Sequence, residues 1–236
     1  MLEFAAALAT LISSAFAVLR RVARWLIGTG GGNTAERRQR RSDEIWQRLE
    51  NLHQRPKEWA VRWVFVPMDP VPGSREDLAD GAPWRNLTPI MPDSVGFPLD
   101  DLQILPDGFQ GVGRFGSVYV SDDGSIGMSK SWPGDDDIAL DLVANDIKRM
   151  LDTAIDAHGD GVKGLLTVGV CNTGERGFVD APANEHFYPQ RSTRPVSPGW
   201  RFTALVQLDP EGIIAFSDAF YRKILREVGI QPPLRV

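Results

Sequence analysis

Residues 115–120 read Phe-Gly-Ser-Val-Tyr-Val, 121–124 read Ser-Asp-Asp-Gly, and 125–130 read Ser-Ile-Gly-Met-Ser-Lys. Two runs with β-branched and aromatic residues thus flank an Asp-Gly turn. That is the strongest short-range hairpin signal in the chain. It commits this stretch to antiparallel strands, and a lone hairpin is not stable without further strands or a packed helix.

The neighbouring segments supply both. Residues 58–66, Glu-Trp-Ala-Val-Arg-Trp-Val-Phe-Val, read as a buried strand. After Asp135-Asp136-Asp137, apolar Val143, Ile147, Met150, Leu151, Ala154 and Ile155 share one helical face, and Gly159 stops the helix. The triple aspartate suits the start of that helix, where carboxylates meet free N–H groups. Strands follow at 165–171 and 200–208 around a loop at 172–199. The last helix has Asp209 as cap, Pro210 at its first position, Ile213, Phe216, Phe220, Ile224 and Val228 on one side, and Gly229 after its end. Residues 67–110, dense in Pro, Gly and Asp, read as long loops with short strands. The expected fold is α+β: a mixed α/β sandwich with two helices on one sheet face and long Pro/Gly-rich loops, preceded by an N-terminal amphipathic helical hairpin.

That hairpin begins with residues 2–27, which lack Pro and Gly and are rich in Ala and Leu. At 100° per residue, Phe4, Leu8, Leu11, Ile12, Ala15, Val18, Leu19, Val22 and Leu26 fall on one face. Glu3, Thr10, Ser13, Ser14, Arg20, Arg21 and Arg24 fall on the other. The apolar spacing is close to a heptad seam. A membrane span fits less well, because the uncharged run from Phe4 to Leu19 has 16 residues and a bilayer needs roughly 20. A signal peptide fits least: Glu3 stands where positive charge belongs, although Ala15-Phe16-Ala17 fits a cleavage site. Gly28-Thr29-Gly30-Gly31-Gly32-Asn33 then breaks the helix, and it lacks the Lys-Ser/Thr of a phosphate-binding P-loop. A second helix starts at Thr34, carries Ile45, Leu49 and Leu52 as an apolar stripe, and closes at Arg55-Pro56. Arg37, Arg38, Arg40 and Arg41 load its first turns with positive charge. The expected division is a helical head, 1–57, and a body, 58–236.

Charge follows this division. Residues 1–62 hold 11 Lys/Arg against 6 Asp/Glu, and residues 63–236 hold 15 against 25. A basic head on an acidic body suits an anionic partner or the acidic surface of another copy.

Few residues invite chemistry. The single cysteine, Cys171, excludes an intrachain disulfide framework, and sits on a strand as a small core residue. His53, His158 and His186 have no metal-ligand spacing. His158 sits before Gly159, where a cation favours a helix end. Gly111-Val112-Gly113-Arg114-Phe115-Gly116-Ser117-Val118 resembles the glycine-rich loop of protein kinases, with Lys130 near the place of the phosphate-binding lysine. No kinase catalytic loop or D-F-G follows, and 106 residues after Lys130 cannot hold a kinase C-lobe. Asp135–Asp137 could hold magnesium through carboxylate oxygens, but reads first as a cap. The arginines at 37–41 lack the aromatic interleaving of a nucleic-acid surface, so sequence-specific nucleic-acid binding is not expected.

No catalytic, cofactor or metal residue is therefore expected. The expectation is a non-enzymatic assembly subunit, in a virion, a tail-like particle or a cytoplasmic assembly. Its interface residues would be Phe4, Leu8, Leu11, Ala15, Leu19, Val22, Leu26, Ile45, Leu49 and Leu52, meeting other copies or other protein subunits. The alternatives are a protein on or anchored in a membrane, with Arg20, Arg21, Arg24 and Arg37–Arg41 on anionic headgroups, or an enzyme or binder using Gly111–Gly116 or Asp135–Asp137 on phosphorylated ligands.

Overall fold

The computed structural model describes residues 34–52, 58–70, 102–113, 116–132, 137–180, 190–197 and 199–230. The expected seam Phe4, Leu8, Leu11, Ala15, Leu19, Val22 and Leu26 lies outside them, as do Arg20, Arg21, Arg24, Asp135 and Asp136. One compact unit begins at Arg38 and runs to the C-terminus. Of the preceding unit, residues 1–37, only the first turn of the next helix is described.

The elements run α1 (Thr34–Leu52), β1 (Trp59–Pro67), β2 (Leu102–Leu105), β3 (Gly108–Gly113), β4 (Gly116–Ser121), β5 (Ile126–Trp132), β6 (Ile138–Ala139), α2 (Leu140–His158), β7 (Val162–Cys171), β8 (Phe178–Asp180), β9 (Gln190–Ser192), β10 (Phe202–Leu208) and α3 (Pro210–Glu227). Seven strands form one antiparallel sheet in the order β10-β7-β1-β5-β4-β3-β2. A small second sheet has the order β6-β8-β9. The chain is thus α+β, with a large antiparallel sheet and three helices among the described residues.

β1 is the central strand, and all nine of its residues are buried. Its alternate residues feed two cores, as the period-2 pleat requires. Trp59, Val61, Trp63 and Phe65 face α2 and α3, joining Met128, Val143, Ile147, Met150, Phe216 and Phe220 in the larger core. Val64 and Val66 face α1 and pack with Ile45, Trp46, Leu49 and Tyr119 in the smaller one. Helices therefore cover both sheet faces. The two expected helices, α2 and α3, share the larger core, and α1 covers the opposite face. Its apolar stripe is used inside this chain: Ile45 and Leu49 are fully buried against the chain's own sheet, and Leu52 is half-buried.

α1 approaches the sheet closely because β5 offers it Gly127. A Cβ built on Gly127 would lie 2.5 Å from Ile45 Cγ2 and 2.9 Å from Leu49 Cδ1. Ser42 Oγ adds a buried hydrogen bond to Thr167 Oγ1 on β7, at 2.9 Å.

The 67–110 stretch holds short strands as expected, β2 and the first half of β3, joined by a tight turn at Pro106-Asp107. Two expectations need correction. The 172–199 loop contains β8 and β9. Asp137 does not cap α2, because β6 intervenes and the cap position is Ala139, with no side-chain cap bond.

Gly127→Ala should cost about 1–3 kcal/mol through overpacking, and Leu49→Ala about 2–5 kcal/mol through its cavity. The double variant should cost less than the sum, since the cavity accepts the new methyl. Urea unfolding of the four proteins measures the coupling; strict additivity would show that α1 does not bear on Gly127.

Candidate functional site

The residues of the kinase-like run form a hairpin rather than an open loop. Gly111 and Gly113 lie in β3, Gly116 lies in β4, and Gly113 pairs with Gly116. Lys130 pairs with Gly116 across β4 and β5, but its side chain serves the α2 side. Its Nζ donates to both carboxylate oxygens of Asp146 on α2, at 3.0 and 2.9 Å, and sits 4.0 Å from the Trp132 ring centroid. Both partners are buried. Trp132 in turn stacks on Trp59, with ring centroids 5.6 Å apart. A buried charge needs such a partner, because desolvation alone would expel it. Lys130 therefore pins β5 to α2.

The opposite face of the same strands carries a polar row beside the smaller core. Register places Gly169, Arg62, Ser129, Ser117 and Val112 side by side across β7, β1, β5, β4 and β3. Arg62 is 1% exposed, and Ser129 and Ser117 are fully buried. Ser131, two residues along β5, is also buried and lies beside Ala60. Arg62 stacks over Trp46 at 5.1 Å, and Arg201 stacks on the same ring at 4.3 Å. Sequence reasoning absorbed all of these residues into strands. The available signals were one arginine inside Trp-Ala-Val-Arg-Trp-Val-Phe-Val-Pro and the Ser-Lys-Ser alternation of β5.

The basic first turns of α1 divide in two. Arg37 and Arg40 are exposed. Arg38 donates to the Met68 carbonyl at 2.9 Å. Arg41 bridges Asp123 at 3.2 Å and Glu44 at 3.3 Å. Burial opposes the Arg41 charge, but Asp123, Tyr119 and Glu44 outweigh it and raise its pKa. Burial likewise works to raise the Asp123 pKa, yet Arg41 and bonds from Ser121 and Ser125 hold it below the ordinary carboxylate value. Tyr119 donates to Asp107 at 2.8 Å, and burial pushes its phenol up to about 12. Arg48 completes this group, 3.5 Å from Asp107 and 4.4 Å above the Tyr119 ring. Arg41 thus fastens α1 to the β4–β5 turn, whereas Arg37 and Arg40 face solvent.

The remaining candidates have structural positions. Asp137 accepts from Gly177 N–H at 3.1 Å and pairs with Arg191 at 2.7 Å. Cys171 packs against the smaller core, and burial pushes its thiol up. Burial lowers the His158 pKa to about 4, despite a hydrogen bond with the Gly124 backbone and the charge of Asp123. It stands against Phe65, with centroids 5.7 Å apart. The expected helix-end cation is therefore a neutral ring at pH 7. Among the described residues, no group of three or more His, Cys, Asp or Glu could hold a metal ion.

No family model matches this chain, and no curated protein or solved structure matches it.

Two predictions follow from these contacts. Lys130→Met alone should cost about 3–5 kcal/mol, because it strands a buried carboxylate. Adding Asp146→Leu should recover most of that loss in chemical denaturation; a second variant no better than the first would show that the pair is not the unit that matters. For His158, the folded pKa lies below the unfolded value. The unfolded state therefore takes up the proton first as pH falls, and stability is lost between about 6.5 and 4. The loss should be on the order of 2–3 kcal/mol. His158→Gln should flatten the stability–pH curve across that window, and an unchanged slope would refute the assignment.

Proposed function

We propose that this chain is a non-enzymatic assembly subunit that associates with further copies of itself. The observation that carries the reading is β10. It ends the seven-stranded sheet, and its residues Phe-Thr-Ala-Leu-Val-Gln-Leu include no charge and no proline. Among the described residues, no strand pairs with its outer side. Leu205 at its centre is 68% exposed, flanked on the same face by exposed Thr203 and Gln207. Edge strands that stay single are usually guarded by lysine, proline or a bulge. β10 has none of the first two.

The strand is also self-complementary. Antiparallel pairing of two copies about Leu205 would set Leu205 on Leu205, Thr203 on Gln207, Ala204 on Val206 and Phe202 on Leu208. Like meets like at each position, as an isologous two-fold contact requires. The amphipathic seam from Phe4 to Leu26 supplies a second means of association, by helix bundling. The groups that might have served catalysis support a structural role: Lys130 is paired, Arg41 is bridged and His158 is half-buried, with its pKa lowered by burial. No helix among the described residues is long and apolar enough to cross a membrane. A virion, a tail-like particle or a cytoplasmic complex would each suit such a subunit.

Light scattering on the full chain in about 0.15 and 0.5 M salt tests the proposal. Apolar contacts persist when surface charges are screened, so the oligomer should survive the higher salt. Leu205→Lys should lower its mass by removing the edge contact, and Leu11→Asp with Leu19→Asp should dissolve the bundle. Ser13→Ala should change neither. A chain that stays monomeric at both salts, yet pellets with anionic vesicles at low salt, would replace this reading with a membrane-surface protein carried by Arg20, Arg21, Arg24, Arg37 and Arg40.

A further inference from the structure

We infer that the polar row on the α1 face of the sheet, Arg62 with Ser129 and Ser117, is a binding site for a tetrahedral oxyanion, a phosphate ion or a phosphoryl group. The inference starts from unmet hydrogen-bonding capacity. Arg62 Nε and one terminal nitrogen make no hydrogen bond, and neither do the hydroxyls of Ser129, Ser117 and Ser131. All four residues are at least nine-tenths buried. One unpaired hydroxyl in a core is tolerable; four adjacent residues with unpaired groups call for an occupant, because each carries a desolvation penalty.

The chemistry of the row selects an anion. The guanidinium is permanently charged and presents several N–H donors in a fixed fork. It forms an ion pair with Glu50, Oε1 at 3.5 Å, a largely exposed side chain, and this contact leaves Nε and the terminal nitrogen without a hydrogen bond. The face of Trp46 attracts the cation but takes no N–H in the plane of the fork. The register pairs Arg62 with Ser129, and Ser129 with Ser117. Neighbouring strands are about 4.8 Å apart, and side chains on one pleat face rise in parallel. Arginine and two hydroxyls therefore stand side by side on three adjacent strands, and beyond Arg62 the row is closed by Trp46, which packs on Gly169. Serine hydroxyls donate to oxyanions, and the Arg fork matches two oxygens of one phosphate.

A second observation separates this row from simple strand packing. Where α1 meets the sheet, Val64, Val66 and Gly127 lie under Ile45 and Leu49, and the one buried hydroxyl pair named there, Ser42 with Thr167, is hydrogen-bonded. One register step away the same strands carry Arg62, Ser129 and Ser117, equally buried, with hydroxyls that make no such bond. Apolar side chains there would cost less than orphaned donors. Lys130 takes no part, since it lies on the other face.

Calorimetric titration and thermal unfolding of the full chain with sodium phosphate, against sodium chloride at equal ionic strength, test the site. Phosphate should bind saturably and raise the melting temperature. Ser129→Ala and Ser117→Ala should each weaken phosphate binding about tenfold, while melting no lower than wild type without phosphate, since each removes an unpaired hydroxyl. Arg62→Lys keeps the charge but loses the fork, and should abolish binding. ATP serves as a second probe. ATP competing with phosphate would assign the site to a phosphoryl end group, and phosphate binding that ATP does not affect would assign it to the free ion. Phosphate also stabilises proteins by exclusion from their surfaces. A melting shift equal in wild type and the serine variants, with no heat of binding, would overturn the inference.

Discussion

Complete burial of β1 is the constraint on which the rest of the structure depends. A strand covered on one face can alternate polar and apolar residues. A strand with Trp59, Val61, Trp63 and Phe65 on one side and Val64 and Val66 on the other needs cover on both. Its two flanks are taken by β5 and β7. Its two faces are taken by helices from opposite ends of the chain, α1 before it and α2 and α3 after it. That arrangement makes a basic helix part of an acidic body, and explains why Ile45 and Leu49 are buried against the chain's own sheet. The hairpin of β4 and β5 owes its place to the same strand, since β5 fills one flank of β1 and offers Gly127 to α1 and Lys130 to α2.

Charge in this fold is sorted by layer. Lys130 and Asp146 neutralise each other on the α2 side. Arg41, Arg48, Asp107 and Asp123 form a partly exposed group along the other side, where α1 meets the β4–β5 turn. Two guanidinium groups meet the Trp46 ring, Arg62 at 5.1 Å and Arg201 at 4.3 Å, and Arg201 also pairs with Asp43 at 2.8 Å. One indole thus helps to hold two cations. Arg62 pairs with Glu50, a largely exposed side chain, and the binding inference rests on the donors that this contact leaves unbonded.

Local signals in the sequence were readable where the chemistry is local. Asp209, Pro210 and Gly229 bounded α3, with Asp209 accepting from Gly212 N–H at 2.6 Å, and Ser-Asp-Asp-Gly marked the β4–β5 turn. The stripe of Ile45 and Leu49 was visible, but its partner was not. Nothing in a helix says which face of which strand will receive it, and Gly127 becomes a seat only once the register is known. The turn in Leu-Pro-Asp-Gly-Phe was not placed, because the surrounding prolines and glycines masked its position between two short strands. Arg62, Ser117 and Ser129 lie far apart along the chain. The expected hairpin already set Ser117 near Ser129, but only the pairing of β5 with β1 brings Arg62 beside them, and that register has no local signal. The seam between Phe4 and Leu26 stays a reading of periodicity, since those residues lie outside the described structure.

The central position of β1 has a kinetic consequence. It is the first strand of the sheet in sequence, yet Ala60 pairs with Ser131 on one side and Cys171 on the other. The β3–β4–β5 meander can close through short loops, but β1 must wait for partners made long after it. Closing such long loops carries an entropic cost that local hairpins escape. During synthesis on the ribosome, Trp-Ala-Val-Arg-Trp-Val-Phe-Val therefore emerges with both strand edges open; the β5 edge waits for residues near 132 and the β7 edge for residues near 171. A strand this apolar is then the segment most exposed to premature association. Arg62, the charge in its middle, is also the residue that interrupts the apolar run during that interval.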